Sequence, residues 1–148
     1  RRRYNRGVSE ALFVAAILAA IALWGALLWL VIRAVFARLS GWNRLAVRYP
    51  VTNPAPTWTW RGQTIQVGPV RFRNCVSAAA THACLHLRSP ALFGFPALSI
   101  PWAELHSPAQ VRVYGRDAIR LQAGRPPIGA ISLPRELYDQ IRGATKFS

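Results

Sequence analysis

Acidic residues are scarce in this sequence, and their scarcity argues against catalysis. Five carboxylates stand against nineteen basic residues, which gives a formal net charge of +14. None of the acids belongs to a paired acid and base grouping in the sequence; they are Glu10, Glu104, Asp117, Glu136 and Asp139. Nucleotide-binding loops and nucleophile elbows are also missing. We therefore expect a protein that is not an enzyme and that uses no cofactor and no small-molecule substrate.

Methionine is absent, even at position 1, and lysine occurs only once. We expect from the missing methionine that the true N-terminus lies outside this sequence. The positive charge is therefore almost all arginine, which favours anionic lipid headgroups, acidic proteins or nucleic acid as partners.

One long apolar run is present. Residues 11–32, ALFVAAILAAIALWGALLWLVI, contain no charge, proline or asparagine. A helix of roughly 20 apolar residues spans a bilayer core, and this run is too long for a signal-peptide core and has no small-residue cleavage site after it. We predict a basic tail over residues 1–10 and a retained, single transmembrane helix over residues 11–36. A membrane location makes lipid and membrane proteins better partners than nucleic acid.

Small residues recur along one stripe of the predicted helix, at Ala15, Ala19, Ala22 and Ala26 with Gly25 beside them. Such stripes let helix backbones approach closely in lipid. The stripe predicts docking on other transmembrane helices, and the alternative is an alanine-rich anchor without a partner.

Basic residues flank the run on both sides, four before it and four after it, so their balance does not fix the orientation. The basic stretch after the run favours a cytoplasmic side for the remainder of the chain. In that stretch Arg38, Trp42, Leu45 and Tyr49 are expected to lie along the membrane interface.

The rest of the chain has the pattern of a small, mainly β domain. Residues 37–56 form a basic juxtamembrane segment and a linker with prolines at 50, 54 and 56. Residues 57–148 alternate apolar and polar positions as six or seven short strands, with a hairpin at Gly115 and a phase change at Gly62 that predicts a bulge. Pro134 and Gly143 bracket a C-terminal helix over residues 134–142.

Several short motifs carry a resemblance to a known fold; they are Ser40-Gly41-Trp42, Leu45-Ala46, Tyr49-Pro50, Asn74-Cys75-Val76, residues 85–87, Leu92-Phe93 and Ile100-Pro101-Trp102-Ala103-Glu104-Leu105. Over residues 40–142 the chain resembles the small bacterial membrane-anchored proteins with a pleckstrin-homology-like (PH-like) or GRAM-like domain. One departure is Ala83-Cys84, where such proteins usually carry a glycine before the strand. The resemblance implies a binding or scaffolding domain and a place in the bacterial inner (cytoplasmic) membrane, and it names no ligand.

Cys75 and Cys84 present the sharpest local pattern. A tight hairpin centred on Ala79-Ala80 would place them opposite each other. Three interpretations stay open: a disulfide in an oxidising compartment, a zinc site with His82 and His86, or two free thiols. Ligand types without the usual spacing are weak support for zinc, so no metal is expected.

Arginines on strand faces are the second candidate site. Arg71, Arg73 and Arg88 are predicted on one polar face, and Arg112 and Arg120 on the polar face of the 109–123 hairpin. Arginine forks suit phosphate and carboxylate, so these residues predict a headgroup or acidic-partner patch. The alternative is an ordinary solvated sheet face.

Three functions are suggested by these patterns. The first is a non-catalytic accessory or scaffolding subunit of a larger membrane complex of the respiratory or photosynthetic type, docked through its helix and braced by its β domain. The second is a membrane-surface module that binds anionic lipid headgroups through the arginine face. The third is a periplasmic domain stapled by Cys75 and Cys84.

Overall fold

The computed structural model describes residues 2–51 and 57–146, with side chains for residues 9–51 and 57–145. The chain divides into two compact units, residues 1–35 and residues 36–148. Part of the expected proline-rich linker, including Pro54 and Pro56, lies outside the described residues.

The first helix, α1, extends over Arg2–Ser40. Its segment Ser9–Ser40 is long and apolar enough to cross a membrane, which confirms the predicted apolar helix. Every side chain from Ser9 to Ile32 is exposed. The small-residue stripe of Ala15, Ala19, Ala22 and Ala26 belongs to this exposed surface.

A second, short helix comes directly after α1. Gly41 adopts a left-handed conformation with φ of 68°, and α2 then runs over Trp42–Arg48. Trp42 and Leu45 are fully buried and Tyr49 is 6% exposed. The Trp42 indole Nε1–H donates to the carbonyl oxygen of Pro96 at 2.8 Å.

The prediction that Trp42, Leu45 and Tyr49 lie along the membrane interface is therefore wrong. Their apolar face closes the core of the β domain, while the neighbouring Arg38 and Arg44 remain exposed. An amphipathic pattern shows that one face is covered, but it does not show whether lipid or protein covers it.

Seven antiparallel strands form one curled sheet in the order β4-β3-β2-β1-β7-β6-β5. The strands are β1 Trp60–Val67, β2 Val70–Ala80, β3 Cys84–Arg88, β4 Leu98–Pro101, β5 Leu105–Val113, β6 Arg116–Ala123 and β7 Gly129–Pro134. A 3₁₀ turn covers Trp102–Glu104, and a C-terminal helix, α3, covers Arg135–Lys146. The predicted order of one apolar helix, six or seven strands and a closing helix is confirmed. The predicted end of that helix at residue 142 is wrong, because Gly143 keeps a helical backbone in place of the left-handed conformation that ends a helix.

Alternating apolar residues of the strands face the core, as their sequence pattern requires. Ile65, Val67 and Leu85 are fully buried. From α3, Leu137 and Ile141 close the same core at 3% and 0% exposure. The core thus lies on the inner face of the sheet, and the face that points away from the core is its outer face.

Two irregularities interrupt the pairing of β1 with β2. The register shifts between Trp60 and Gln63, where Gly62 has φ of 64°, so the bulge predicted at Gly62 is confirmed. A second shift lies opposite Asn74, which has φ of 49°. There the Thr64 hydroxyl donates to Asn74 Oδ1 at 2.7 Å and accepts the Asn74 backbone N–H at 3.0 Å.

Candidate anion-binding site on the outer face of the sheet

Four polar side chains form a row across the middle of the sheet. Gln66 is paired with Arg71 on one side and with Ser132 on the other, and Ser132 is paired with Arg120. Directly opposed residues project to the same face of a sheet, so these four side chains line the outer face together. We call this set (Arg71, Gln66, Ser132 and Arg120) the arginine row.

A cavity of about 60 Å³ opens beside the arginine row. A cavity needs about 10–15 Å³ of this kind of volume to hold one water molecule, so this cavity has room for one small group of a few heavy atoms. It is lined by Thr64, Gln66, Arg71, Val113, Arg116, Asp117, Ala118, Ser132 and Pro134.

Arg71 has a donor that the described part of the chain does not use. Its Nε atom is buried and has no hydrogen-bond partner among the described residues. Leaving a buried donor unpaired costs about 1–3 kcal/mol, so native proteins rarely keep one without a reason. An acceptor bound in the adjacent cavity would satisfy it.

The Arg71 guanidinium is held against an aromatic ring. Its Cζ atom lies 4.8 Å from the centre of the Tyr114 ring. Tyr114 and Gly115 form the two-residue turn between β5 and β6, with φ of 50° and 78°, which confirms the predicted hairpin. Asn-Gly is the usual pair for such a turn, and a bulky residue at positive φ is uncommon. Tyr114 is nevertheless there, and it is 77% exposed.

The charged donors that line the cavity belong to Arg71 and Arg116. The Thr64 hydroxyl already donates to Asn74, and Gln66 Nε2 donates to the Gly68 carbonyl oxygen at 2.9 Å. Arg120 Nε lies 3.5 Å from Ser132 Oγ. Asp117 is the one carboxylate in the cavity lining. Two arginines, Arg71 and Arg116, line the cavity with this one carboxylate. The lining therefore keeps a net positive charge, which suits an acceptor-rich anion.

The five arginines predicted for this patch do not all lie together. Arg71 and Arg120 share the arginine row, and Arg73 is exposed two residues along β2. Arg88 is paired with Ser77, six residues from Arg71 along the strand, or roughly 20 Å at the rise of a β-strand. The Arg88 Cζ atom instead lies 4.9 Å from the Trp58 ring.

Arg112 lies on the opposite face from Arg120, so the prediction that both share one polar face is wrong. Arg112 is paired with Asp117, and residues 117 and 120 are three apart and therefore project to opposite faces. Sequence reasoning named Arg116 as part of this turn but missed Tyr114. The signal that could have found it is a tyrosine, in place of the usual asparagine, immediately before the turn glycine.

The predicted tight hairpin at Ala79-Ala80 is wrong, because β2 continues through both residues. Ala80 is paired with Leu85, and Thr81 begins the connection to Cys84. Leu85, the residue after Cys84, is opposite Ala80, and Cys75 lies five residues before Ala80, roughly 16 Å along the strand. The two cysteines are therefore far apart, and both are free thiols in this structure. Burial raises the pKa of the Cys75 thiol. Within the described residues no group of three histidine, cysteine or acidic side chains could hold a metal ion.

His86 is the buried polar residue of the same strand pair. It is 6% exposed, and its Nδ1 atom has no hydrogen-bond partner among the described residues. Ala79 and Ser99 are its direct neighbours across the two adjacent strands. Desolvation lowers the pKa of the imidazole, so the neutral form is the one that this position favours.

Comparisons with protein-family models, with curated proteins and with solved structures found no match to this chain. The function of the protein must therefore be inferred from its own residues and their geometry.

Proposed function

We propose that the chain is a non-catalytic, membrane-anchored binding module whose β domain holds one anionic, oxygen-rich group against Arg71. The observation that carries this proposal is the buried, unpaired Nε of Arg71 beside a small cavity that Arg116 also lines. A guanidinium offers several donors in a fixed fork, which matches phosphate and carboxylate oxygens. A phosphate-bearing lipid headgroup is the ligand class that suits a chain with a membrane anchor.

The anchor in this proposal is α1, which crosses the bacterial inner membrane once. Its length and apolar composition support a span. The arginines that come after the apolar run support a cytoplasmic place for the β domain.

The β domain in this proposal is a PH-like domain. Seven antiparallel strands followed by one closing helix support the resemblance drawn from the sequence. The fold alone would not identify a ligand, so the Arg71 site alone carries the functional inference.

A titration of the full chain in uncharged detergent micelles tests the proposal. Inorganic phosphate is added at constant ionic strength, with chloride as the balancing salt, and binding is followed by calorimetry. We expect saturable binding to one site, and we expect Arg71→Gln to abolish it. Binding that never saturates, or that survives Arg71→Gln, would contradict the proposal.

Short-chain lipids in the same titration identify the source of the anion. Dihexanoyl phosphatidic acid should bind at the same site and compete with phosphate, while dihexanoyl phosphatidylcholine should not. Phosphate binding without competition by the acidic lipid would indicate a soluble ligand in place of a headgroup.

A second candidate function is an accessory subunit of a larger respiratory or photosynthetic type of membrane complex. The observation that favours it is the exposed stripe of Ala15, Ala19, Ala22 and Ala26 on α1, where a Cβ added to the adjacent Gly25 would meet nothing within 4 Å. Gentle extraction from native membranes followed by sizing and mass spectrometry tests it. An assembly of fixed stoichiometry would support this function, and a lone chain in its own micelle would contradict it.

A further inference from the structure

The two edge strands of the curled sheet, β4 and β5, differ in whether another segment of the chain covers them. At the β4 edge, the Ser99 N–H donates to the Tyr49 carbonyl oxygen at 3.0 Å, and Pro50 forms a bridge with Leu98. The segment after α2 therefore covers that edge. The β5 edge ends the strand order on the other side, and no described strand pairs with it.

The second half of β5 is a regular and accessible edge. The pairing with β6 is irregular between His106 and Ala109, where Ser107 has φ of 53° and Pro108 comes next. A bulge and a proline are ordinary protection against strand addition. Beyond them, residues 109–113 pair with β6 without interruption and are exposed or half-buried. The protection thus covers the beginning of β5 and leaves five residues open.

The two faces of this open edge differ in chemistry. Ala109, Val111 and Val113 project to the outer face, because Val111 is paired with Ala118 and Ala118 lies two residues from Arg120. Gln110 and Arg112 project to the other face, where they line an open cavity of about 220 Å³ together with Asp117 and Arg135. A strand added here would meet small apolar groups on one side. On the other side it would meet Arg112 and Arg135, which lie 3.8 Å from Asp117 and 3.9 Å from Asp139 in exposed ion pairs. Exposed pairs of this kind contribute little stability, so an acidic partner segment can compete for either arginine.

We propose that residues 109–113 bind an extended segment of a partner protein by strand addition, and that this segment alternates apolar and acidic residues. The backbone of β5 would supply hydrogen bonds, while Arg112 and Arg135 would select acidic side chains at alternate positions. The site lies next to the Arg71 cavity, whose lining includes Val113, but Arg112 projects to the face opposite the arginine row.

Charge complementarity excludes a second copy of this chain as the occupant. The chain carries a formal net charge of +14 and only five acids. Antiparallel pairing of two β5 edges would bring two Arg112 side chains onto the same face of adjacent strands, where like charges oppose each other. An acidic partner segment meets no such repulsion.

The test uses the full chain in uncharged detergent and two synthetic octapeptides, one alternating valine with glutamate and one alternating valine with lysine. Hydrogen exchange followed by mass spectrometry reads the protection of amides in residues 109–113. We expect the glutamate peptide to protect them and the lysine peptide to leave them unchanged. Arg112→Glu should reverse this preference, whereas Arg142→Glu, an equal charge change on an exposed residue of α3, should not.

Three outcomes would overturn the proposal: no protection by either peptide, equal protection by both, or a preference that Arg112→Glu leaves intact. Protection that rises with protein concentration in the absence of peptide would show that a second copy occupies the edge, and it would overturn the proposal as well. Phosphate binding at Arg71 is measured separately, so failure here is distinguishable from failure of the anion site.

Discussion

The Arg71 guanidinium lies 4.8 Å from the centre of the Tyr114 ring, and this contact joins β2 to the turn between β5 and β6. A contact of this kind contributes roughly 0.5–1 kcal/mol at an exposed site. The tyrosine occupies a left-handed turn position with φ of 50°, which an asparagine would adopt with less strain. The pairing of an unfavourable turn residue with an arginine that has an unused donor indicates a role in holding Arg71 for a ligand.

Replacing Tyr114 tests whether the ring holds Arg71 for a ligand or only stabilises the fold. We expect Tyr114→Asn to melt at or above the temperature of the unmodified chain, because relief of turn strain offsets the lost ring contact. Phosphate affinity should fall several-fold, by about 1 kcal/mol, because Arg71 loses its support. Thermal unfolding and phosphate titration measure the two effects.

Trp58 offers a matched control for this variant, since it lies against Arg88 at a similar distance of 4.9 Å. Trp58→Leu should leave phosphate affinity unchanged. A Tyr114→Asn protein that is less stable but binds phosphate normally would show that the ring is merely structural.

His86 predicts a pH dependence of stability. Burial lowers the pKa of His86 in the folded chain, and the unfolded chain keeps the ordinary value of about 6.5. As the pH falls through 6.5, the unfolded state takes up the proton first, so the free energy of unfolding decreases by at most about 1.4 kcal/mol per pH unit. Above about pH 7.5 the contribution is fully present.

Chemical denaturation between about pH 7.5 and pH 5.5 measures this slope. We expect His86→Leu to flatten it, while His82→Leu, at an exposed position, should keep it. Cys84 and Arg88 lie on the same face of β3 as His86. Both variants therefore keep Cys84 and Arg88, so that only the histidine differs. An unchanged slope in His86→Leu would show that another group titrates.

Substitution of Trp42 tests whether the segment after α1 packs in the core of the β domain or lies in the membrane interface. In the structure Trp42 is fully buried and donates to the Pro96 carbonyl oxygen at 2.8 Å, so Trp42→Phe removes buried volume and this hydrogen bond. We expect a loss of about 2 kcal/mol in the free energy of unfolding. Trp24→Phe, on the exposed surface of α1, should cost little. Equal effects of the two substitutions would favour a Trp42 that rests in the membrane interface.

Gly68 is predicted to be less replaceable than Gly115, although both have positive φ. At Gly68, with φ of 57°, an added Cβ would lie 3.0 Å from the Ser40 carbonyl oxygen. At Gly115, with φ of 78°, it would meet nothing within 4 Å. We expect Gly115→Ala to cost about 1 kcal/mol for the backbone conformation alone and Gly68→Ala clearly more. Thermal unfolding of the two variants should therefore differ, and equal melting temperatures would contradict a close contact between Gly68 and the end of α1.

The elements of this fold were predictable because their patterns are local. The apolar run of α1, the alternation of the strands and the bulge at Gly62 each depend on a few neighbouring residues. The register of β2 with β3 was not predictable in the same way, because Ala79 and Ala80 carry no turn signal and no strand signal. The observed register depends on Leu85 and Leu87 reaching the core together.

The candidate site was predictable only in part. Alternation placed Arg71 and Arg120 on an outward face, and the structure shows that β1 and β7 lie between them. That strand order is a long-range property, so sequence alone could not show which arginines share a row. The same limit explains why Arg88 was grouped with Arg71, and why Tyr114 was not considered.

The most direct test of the anion site compares two arginine-to-lysine substitutions that keep the net charge unchanged. Arg71→Lys removes the fork and the Nε donor beside the cavity, whereas Arg88→Lys makes the same change roughly 20 Å away on the same strand pair. In the phosphate titration of the full chain, we expect Arg71→Lys to weaken binding about tenfold or more and Arg88→Lys to leave it unchanged. Equal affinities in both variants would contradict a built site at Arg71 and would assign the binding to diffuse positive charge.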